Sequence, residues 1–133
     1  MRAYLLDTNQ LGQAVRRSTA VHSRIKREVA RGIRVGTCIP VLCEIEIGAI
    51  YVNKADDYHA GLQNVLRSVR IWPLTLETSR HYGEISRDLK RRGRALSQVD
   101  IMLAALCREL DLTLVTTDKD FSALAWLKAE DWS

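Results

Sequence analysis

Asp7, Glu44, Asp100 and Asp118 are the side chains of this 133-residue sequence whose types and spacing best suit chemistry. Asp7 closes an apolar run in Tyr4-Leu5-Leu6-Asp7-Thr8-Asn9, and Asp118 closes the β-rich run Leu112-Thr113-Leu114-Val115-Thr116-Thr117-Asp118. In open α/β sheets ligands bind beyond the carboxyl ends of the strands, so both aspartates are expected at one crevice. Asp100 stands three residues into a helical stretch. The two-residue link from that helix to the last long strand makes the helix finish at the amino edge of the sheet, so its start lies beside Asp7 and Asp118. Glu44 lies in the helix after the second strand, which begins at the same edge. Glu46 competes with it, but at about 100° per residue the two point roughly 200° apart, so only one faces the crevice. Gly48, one turn beyond Glu44, marks that face as closely packed, which selects Glu44.

Each residue alone has an ordinary use as a helix cap, a solvated face residue, a favourable charge near a helix N-terminus or a turn residue. Their joint placement is what carries meaning. Two carboxylates about 6 Å apart repel by roughly 3 kcal/mol at an effective dielectric near 20, so four together call for cations or raised pKa values. Oxygen ligands without histidine suit Mg²⁺ or Mn²⁺ rather than Zn²⁺. The expectation is that Asp7 and Asp100 anchor the principal ion, with Asp118 also a ligand. Glu44 and Asp118 then hold a second ion or orient a water.

Composition narrows the setting. The length and 47% hydrophobic content predict one domain spanning residues 1–133. Three cysteines, Cys38, Cys43 and Cys107, with no Cys-x-x-Cys pair argue against a disulfide framework and for a reducing, cytoplasmic home. No signal peptide is expected, and the longest apolar run, Ile101 to Cys107, is too short to cross a bilayer. The net charge is +4, and setting aside the four site carboxylates leaves 20 basic against 12 acidic residues. An acidic hollow in a basic surface suits a phosphate backbone held through cations, and 15 arginines against 5 lysines favour bidentate phosphate contacts.

The elements that must position the quartet alternate. A strand ending at Asp7 is followed by a helical stretch from Thr8 to Arg17, and Ser18 offers the N-cap of a helix carrying Val21, Ile25 and Val29. A strand over Ile33 to Cys38 leads to a helix with Pro40 in its first turn that runs to about Val52, then a helix from Ala55 to Val69. Ile71 to Leu74 reads as a very short edge strand because of Pro73, Glu77 to Arg92 and Ser97 to Glu109 as helices, and Trp126 to Ala129 as a final strand. This alternation predicts an α/β fold, a three-layer α/β/α sandwich around a mainly parallel sheet.

These residues in this order resemble the PIN domain family, and within it the VapC-type toxin ribonucleases of toxin–antitoxin pairs. The likeness covers nearly the whole chain. It rests on Leu5-Leu6-Asp7-Thr8-Asn9, Glu44-Ile45-Glu46-Ile47-Gly48, Asp100-Ile101-Met102-Leu103-Ala104-Ala105 and Leu114-Val115-Thr116-Thr117-Asp118-Lys119-Asp120-Phe121. The resemblance implies a Mg²⁺- or Mn²⁺-dependent endoribonuclease, with Asp7, Glu44, Asp100 and Asp118 as its acidic quartet. It also implies Asn9, Thr116 and Asp120 around the pocket, an aromatic near the C-terminus at Trp132, a small antitoxin protein that blocks the site, and a homodimer. Gln10 stands where the family commonly has an apolar residue. The implied substrate is a structured RNA loop, of transfer or ribosomal RNA, since selective RNA recognition targets splayed bases. Arg91, Arg92 and Arg94, just before the Asp100 helix, are candidates for contacts to flanking phosphates.

Other classes remain as alternatives. His22, His59 and His81 offer metal-independent acid–base cleavage, although they sit in separate polar helix segments. A noncatalytic RNA-binding or protein-interaction module keeps the fold without the chemistry. An aspartate-based phosphatase needs a second aspartate where Asn9 stands, and a receiver domain needs a phosphoacceptor that the short third strand does not offer.

Overall fold

A computed structural model of the chain describes residues 2–133. Five parallel strands form one sheet: β1 (Ala3–Leu6), β2 (Arg34–Thr37), β3 (Arg70–Ile71), β4 (Thr113–Val115) and β5 (Ala129–Glu130), in spatial order β3-β2-β1-β4-β5. Helices α1 (Thr8–Ala14) and α2 (Ala20–Ala30) connect β1 to β2, and α3 (Ile39–Ala49) and α4 (Ala55–Leu66) connect β2 to β3. Helices α5 (Leu76–Arg91) and α6 (Gln98–Leu110) then return the chain to β4. The sequence leaves β1 toward one edge and comes back to the other, so the strand order reverses between β1 and β4. Helices flank this sheet as in the expected α/β/α arrangement.

Burial follows from composition at each layer. The β1 run Ala3–Leu6 is buried throughout, as required of a central strand covered on both faces. It packs with Leu11, Val21, Ile25, Val35, Val41, Leu62, Val65, Leu103, Leu106 and Leu114 in the main core. A second cluster joins Ile85 and Leu89 of α5 to Ile101, Ala104 and Ala105 of α6. The small residues at 104 and 105 let these two helices approach closely. Gly36 of β2 lies under the Trp72 indole, where a Cβ would sit 2.3 Å from Nε1. That indole donates to the Tyr4 carbonyl at 3.0 Å, so it locks β3 across β2 onto β1.

Several boundaries differ from expectation for local reasons. α2 is capped by Thr19, not Ser18, because the Thr19 backbone is extended and its hydroxyl accepts the His22 N–H at 3.3 Å. The edge strand is Arg70–Ile71, one residue earlier than expected, and Pro73 falls beyond it. β4 stops at Val115, so Asp118 does not end a strand. It caps a 3₁₀ turn, Lys119–Ala123, through its carboxylate and the Asp120 N–H. The last strand is Ala129–Glu130, because residues 129 and 130 are the ones in register with Leu114 and Val115, and Trp126 remains outside it, 42% exposed. Among the described residues no helix is long and apolar enough to cross a membrane. The three cysteines are free.

Candidate active site

The reversal of strand order creates a cleft of about 390 Å³ lined by Asp7, Thr8, Asn9, Glu44, Asp100, Leu103, Thr117 and Asp118. Four separate stretches of chain deliver its carboxylates. Asp7 follows β1 directly, with its N–H on the Val115 carbonyl of β4 at 3.1 Å, and its Oδ1 accepts the Gln10 N–H at 2.8 Å as the N-cap of α1. Asp100 occupies the first turn of α6, where a negative charge suits the helix dipole, and its N–H is capped by the Ser97 hydroxyl at 3.1 Å. Glu44 projects from α3 and accepts a hydrogen bond from the Thr8 hydroxyl. Glu46 faces elsewhere and pairs with His59 at 2.9 Å. Asp118 is exposed at the rim, its N–H donated to the Thr116 hydroxyl at 3.0 Å.

Charge accumulates here without compensation. Among the described residues the cleft has no basic side chain in its lining, and none of the four carboxylates forms an ion pair. Burial pushes the Asp7 carboxyl above the ordinary aspartate range, the Thr116 hydroxyl and Gln10 N–H oppose that rise, and the charges of Asp118 and Glu44 add to it. Asp100 is raised likewise, by burial first and then by Asp118, Glu44 and Asp7, with Ser97 opposing. Beneath Glu44, burial pushes the Cys38 thiol up to about 11, so it stays neutral and adds no charge.

Among the described residues no three His, Cys, Asp or Glu side chains already form a ligand cage. The carboxylates share a cleft, but Asp7 and Asp118 each spend an oxygen on a backbone N–H and Glu44 accepts from Thr8. The expected triad of Asp7, Asp100 and Asp118 is therefore an open set. Such a set fits Mg²⁺ or Mn²⁺, since a small hard cation keeps several waters and is commonly bound through one or two carboxylates plus substrate phosphates. The uncompensated, mutually repelling oxygens are the observation that fits a cation.

Other expected residues divide. Asn9 lines the cleft and accepts from the Gln13 amide at 2.9 Å. Thr116 is buried behind Asp7 and Asp118, bracing both without lining the space. Asp120 is exposed on the 3₁₀ turn, outside the lining, because its backbone and not its side chain serves Asp118. Arg91, Arg92 and Arg94 are exposed at the end of α5 and in the turn leading to α6, also outside the lining, and Arg92 is held by Asp88 at 2.8 Å. The close packing read from Gly48 is absent, since a Cβ there meets nothing within 4 Å. Thr8, Thr117 and Leu103 line the cleft without having been singled out. Adjacency to Asp7 and Asp118, and the one-turn spacing from Asp100, are the sequence signals by which they could be found.

The PIN domain family model matches residues 4–127. The chain belongs to the PIN domain family. Among relatives of this PIN domain, Ribonuclease VapC2 of Rickettsia felis is 24% identical over 130 residues, covering 97% of each chain. The tRNA(fMet)-specific endonuclease VapC of Shigella flexneri is 26% identical over 137 residues, covering 100% of each. The crystal structure of VapBC2 from Rickettsia felis bound to a promoter DNA fragment contains a chain that superposes with a TM-score of 0.87. That chain is 21% identical, with 98% of this chain and 99% of that one covered, which places the two in the same fold.

Proposed function

We propose that this PIN domain is a divalent-metal-dependent endoribonuclease, the toxin of a toxin–antitoxin pair, that hydrolyses phosphodiester bonds in a structured RNA loop. The observation that carries the reading is a cleft with four carboxylates and no basic lining residue at the point where strand order reverses. Full-length likeness to VapC ribonucleases, one of them specific for tRNA(fMet), supports RNA as substrate and a transfer RNA loop as its class. Asp7 and Asp100, with Asp118 beside them, would hold Mg²⁺ or Mn²⁺, which when bound would supply positive charge for the phosphoryl oxygens and a lowered pKa for a water.

The chain's own residues do the rest. Asp7 is held by the Gln10 N–H at 2.8 Å, with the Thr116 hydroxyl beside it, which restrains its carboxylate. Glu44, held by Thr8, and Asp118, held by its own turn, orient a water for in-line attack, leaving a 5′-phosphate and a 3′-hydroxyl. Arg91 and Arg94 form no ion pair among the described residues and stand at the start of the turn into α6, where they contact flanking phosphates. Solved VapBC complexes of the same fold support a small antitoxin partner, which we assign to blocking the cleft with an arginine in place of the cation. Ile47, Ile50 and Tyr51, 66%, 74% and 81% exposed on and just after α3, form the surface of a homodimer in the cytoplasm.

The deciding experiment is cleavage of transfer RNA with Mg²⁺, Mn²⁺ or EDTA. Cleavage that needs either metal and disappears in Asp100→Ala is the expected result. Chelator-resistant cleavage leaving a cyclic phosphate overturns the metal mechanism, and a folded protein that binds RNA without cutting it establishes a noncatalytic module.

A further inference from the structure

Gln10 is a fully buried amide, 0% exposed, at a position where nothing in helix formation calls for one. Its backbone N–H donates to Asp7 at 2.8 Å. Its side-chain Oε1 accepts the Trp132 N–H at 3.1 Å, and its Nε2 donates to the Asp131 carboxylate at 3.2 Å. A backbone donor on one side and a carboxylate on the other allow only one orientation of the amide. The two residues it grips belong to the segment that follows β5.

That segment also reaches the other half of the cleft. Trp132, 4% exposed, sets its ring edge-on to Tyr4 of β1 at 4.8 Å, under the Arg24 guanidinium at 4.8 Å, and donates from Nε1 to Glu130 at 3.1 Å. The Glu130 carbonyl accepts the Thr116 N–H at 2.8 Å, and the Thr116 hydroxyl holds the Asp118 N–H while lying beside Asp7. One stretch, Glu130–Trp132, thus braces the chain beside both Asp7 and Asp118.

We infer that Glu130–Trp132 is a positioning element of the cleft, with Gln10 as its link to Asp7. The inference rests on the nuclease reading above. Gln10 joins two tasks in one residue: its amide anchors the C-terminal segment, and its backbone sets the donor that aims Asp7. An apolar side chain at this position fills the space but leaves the buried Trp132 N–H without its acceptor and removes the tie between α1 and Asp131, whose carboxylate then keeps only Ser133, so the first turn of α1 and the segment lose their common register. Small misplacements of a reacting group cost rate steeply, whereas substrate affinity depends on surfaces elsewhere.

The test uses Gln10→Leu, Gln10→Glu and the double variant Gln10→Glu with Asp131→Asn. The single Gln10→Glu change keeps the acceptor for Trp132 but faces two carboxylates together, and Asp131→Asn restores a donor to the pair. Three quantities are read: apparent kcat and KM on total tRNA, the Mn²⁺ dissociation constant by calorimetric titration without RNA, and Tm. Both single changes are expected to lower kcat on the order of tenfold with KM unchanged and to weaken Mn²⁺ binding several-fold. The double variant recovers both. Single variants that melt earlier yet retain parental kcat and Mn²⁺ affinity overturn the inference, leaving Gln10 a purely structural amide. If Gln10→Leu does not fold, Gln10→Glu against the double variant gives the same comparison. A parent that binds Mn²⁺ but cuts no RNA defeats the nuclease reading while the Mn²⁺ arm still tests the brace. A parent that binds no Mn²⁺ overturns both.

Discussion

Replacing Asp7 with Asn separates charge from shape at the centre of the cleft. Asparagine keeps the oxygen that accepts the Gln10 N–H at 2.8 Å and is itself a good N-cap, so α1 starts as before. What leaves is a negative charge on a side chain 7% exposed. Burial first, then Asp118 and Glu44, raise the Asp7 pKa above its unfolded value. Between those two values the native chain therefore binds more protons than the unfolded chain. The stability this contributes is fully present below the unfolded pKa and is lost as pH rises through the folded one, so at pH 7 ionised Asp7 is a net cost. In general, two carboxylates about 6 Å apart repel by roughly 3 kcal/mol at an effective dielectric near 20. Because Glu44 and Asp118 are exposed and screened, about 1–2 kcal/mol in total survives. For a chain of this length that corresponds to roughly 3–8 °C in Tm. Asp7→Asn is thus expected to melt above the parent in EDTA at pH 7 while RNA cleavage falls by about 10²–10³. Added Mn²⁺ narrows or reverses the difference, since only the parent gains strongly by mass action. Calorimetry in EDTA and in Mn²⁺, beside a cleavage assay, reads all three. A folded variant that melts below the parent in EDTA, or that cuts RNA at the parental rate, refutes the reasoning.

Thr8→Val removes the hydroxyl that holds Glu44 and is expected to slow cleavage about tenfold with Tm nearly unchanged, while Thr8→Ser restores the rate; equal rates for both variants in a cleavage assay contradict the role. Gly36→Ala drives a Cβ to 2.3 Å from the Trp72 indole and should cost about 1–3 kcal/mol in urea unfolding, because a ring bonded to Tyr4 has little room to retreat. Ile50→Glu with Tyr51→Glu should convert a dimer to a monomer in light scattering and leave Tm at low concentration unchanged, because both side chains are exposed in the single chain. An unaltered dimer mass places the interface on another face.

Much of the cleft was legible from local order. A carboxylate immediately after the buried run ending at Leu6 has to emerge at the carboxyl edge of its strand. The two-residue link after α6 sends Asp100 to that same edge. These follow from the geometry of consecutive elements, and the sequence determines that geometry directly. Placement of Asp118 was legible only in outline, because whether β4 runs to Val115 or Thr117 depends on which residues β5 has available to pair with it. Side-chain direction was less legible still. Gly48 looked like a packing residue and faces open space, whereas Gly36 gave no signal and lies against Trp72, a residue 36 positions away that meets it only after β3 joins the sheet.

Local sequence settled the alternation of strands and helices and the end of the molecule at which the four acids gather. Tertiary structure alone decided that the set is open, that Thr8 restrains Glu44 and that Gln10 is bound to residues more than a hundred positions away. Helix and strand periodicities act over a few residues and are written in each segment. Burial of an amide or repulsion among carboxylates is a property of the space between segments, and that space exists only once the chain has closed on itself.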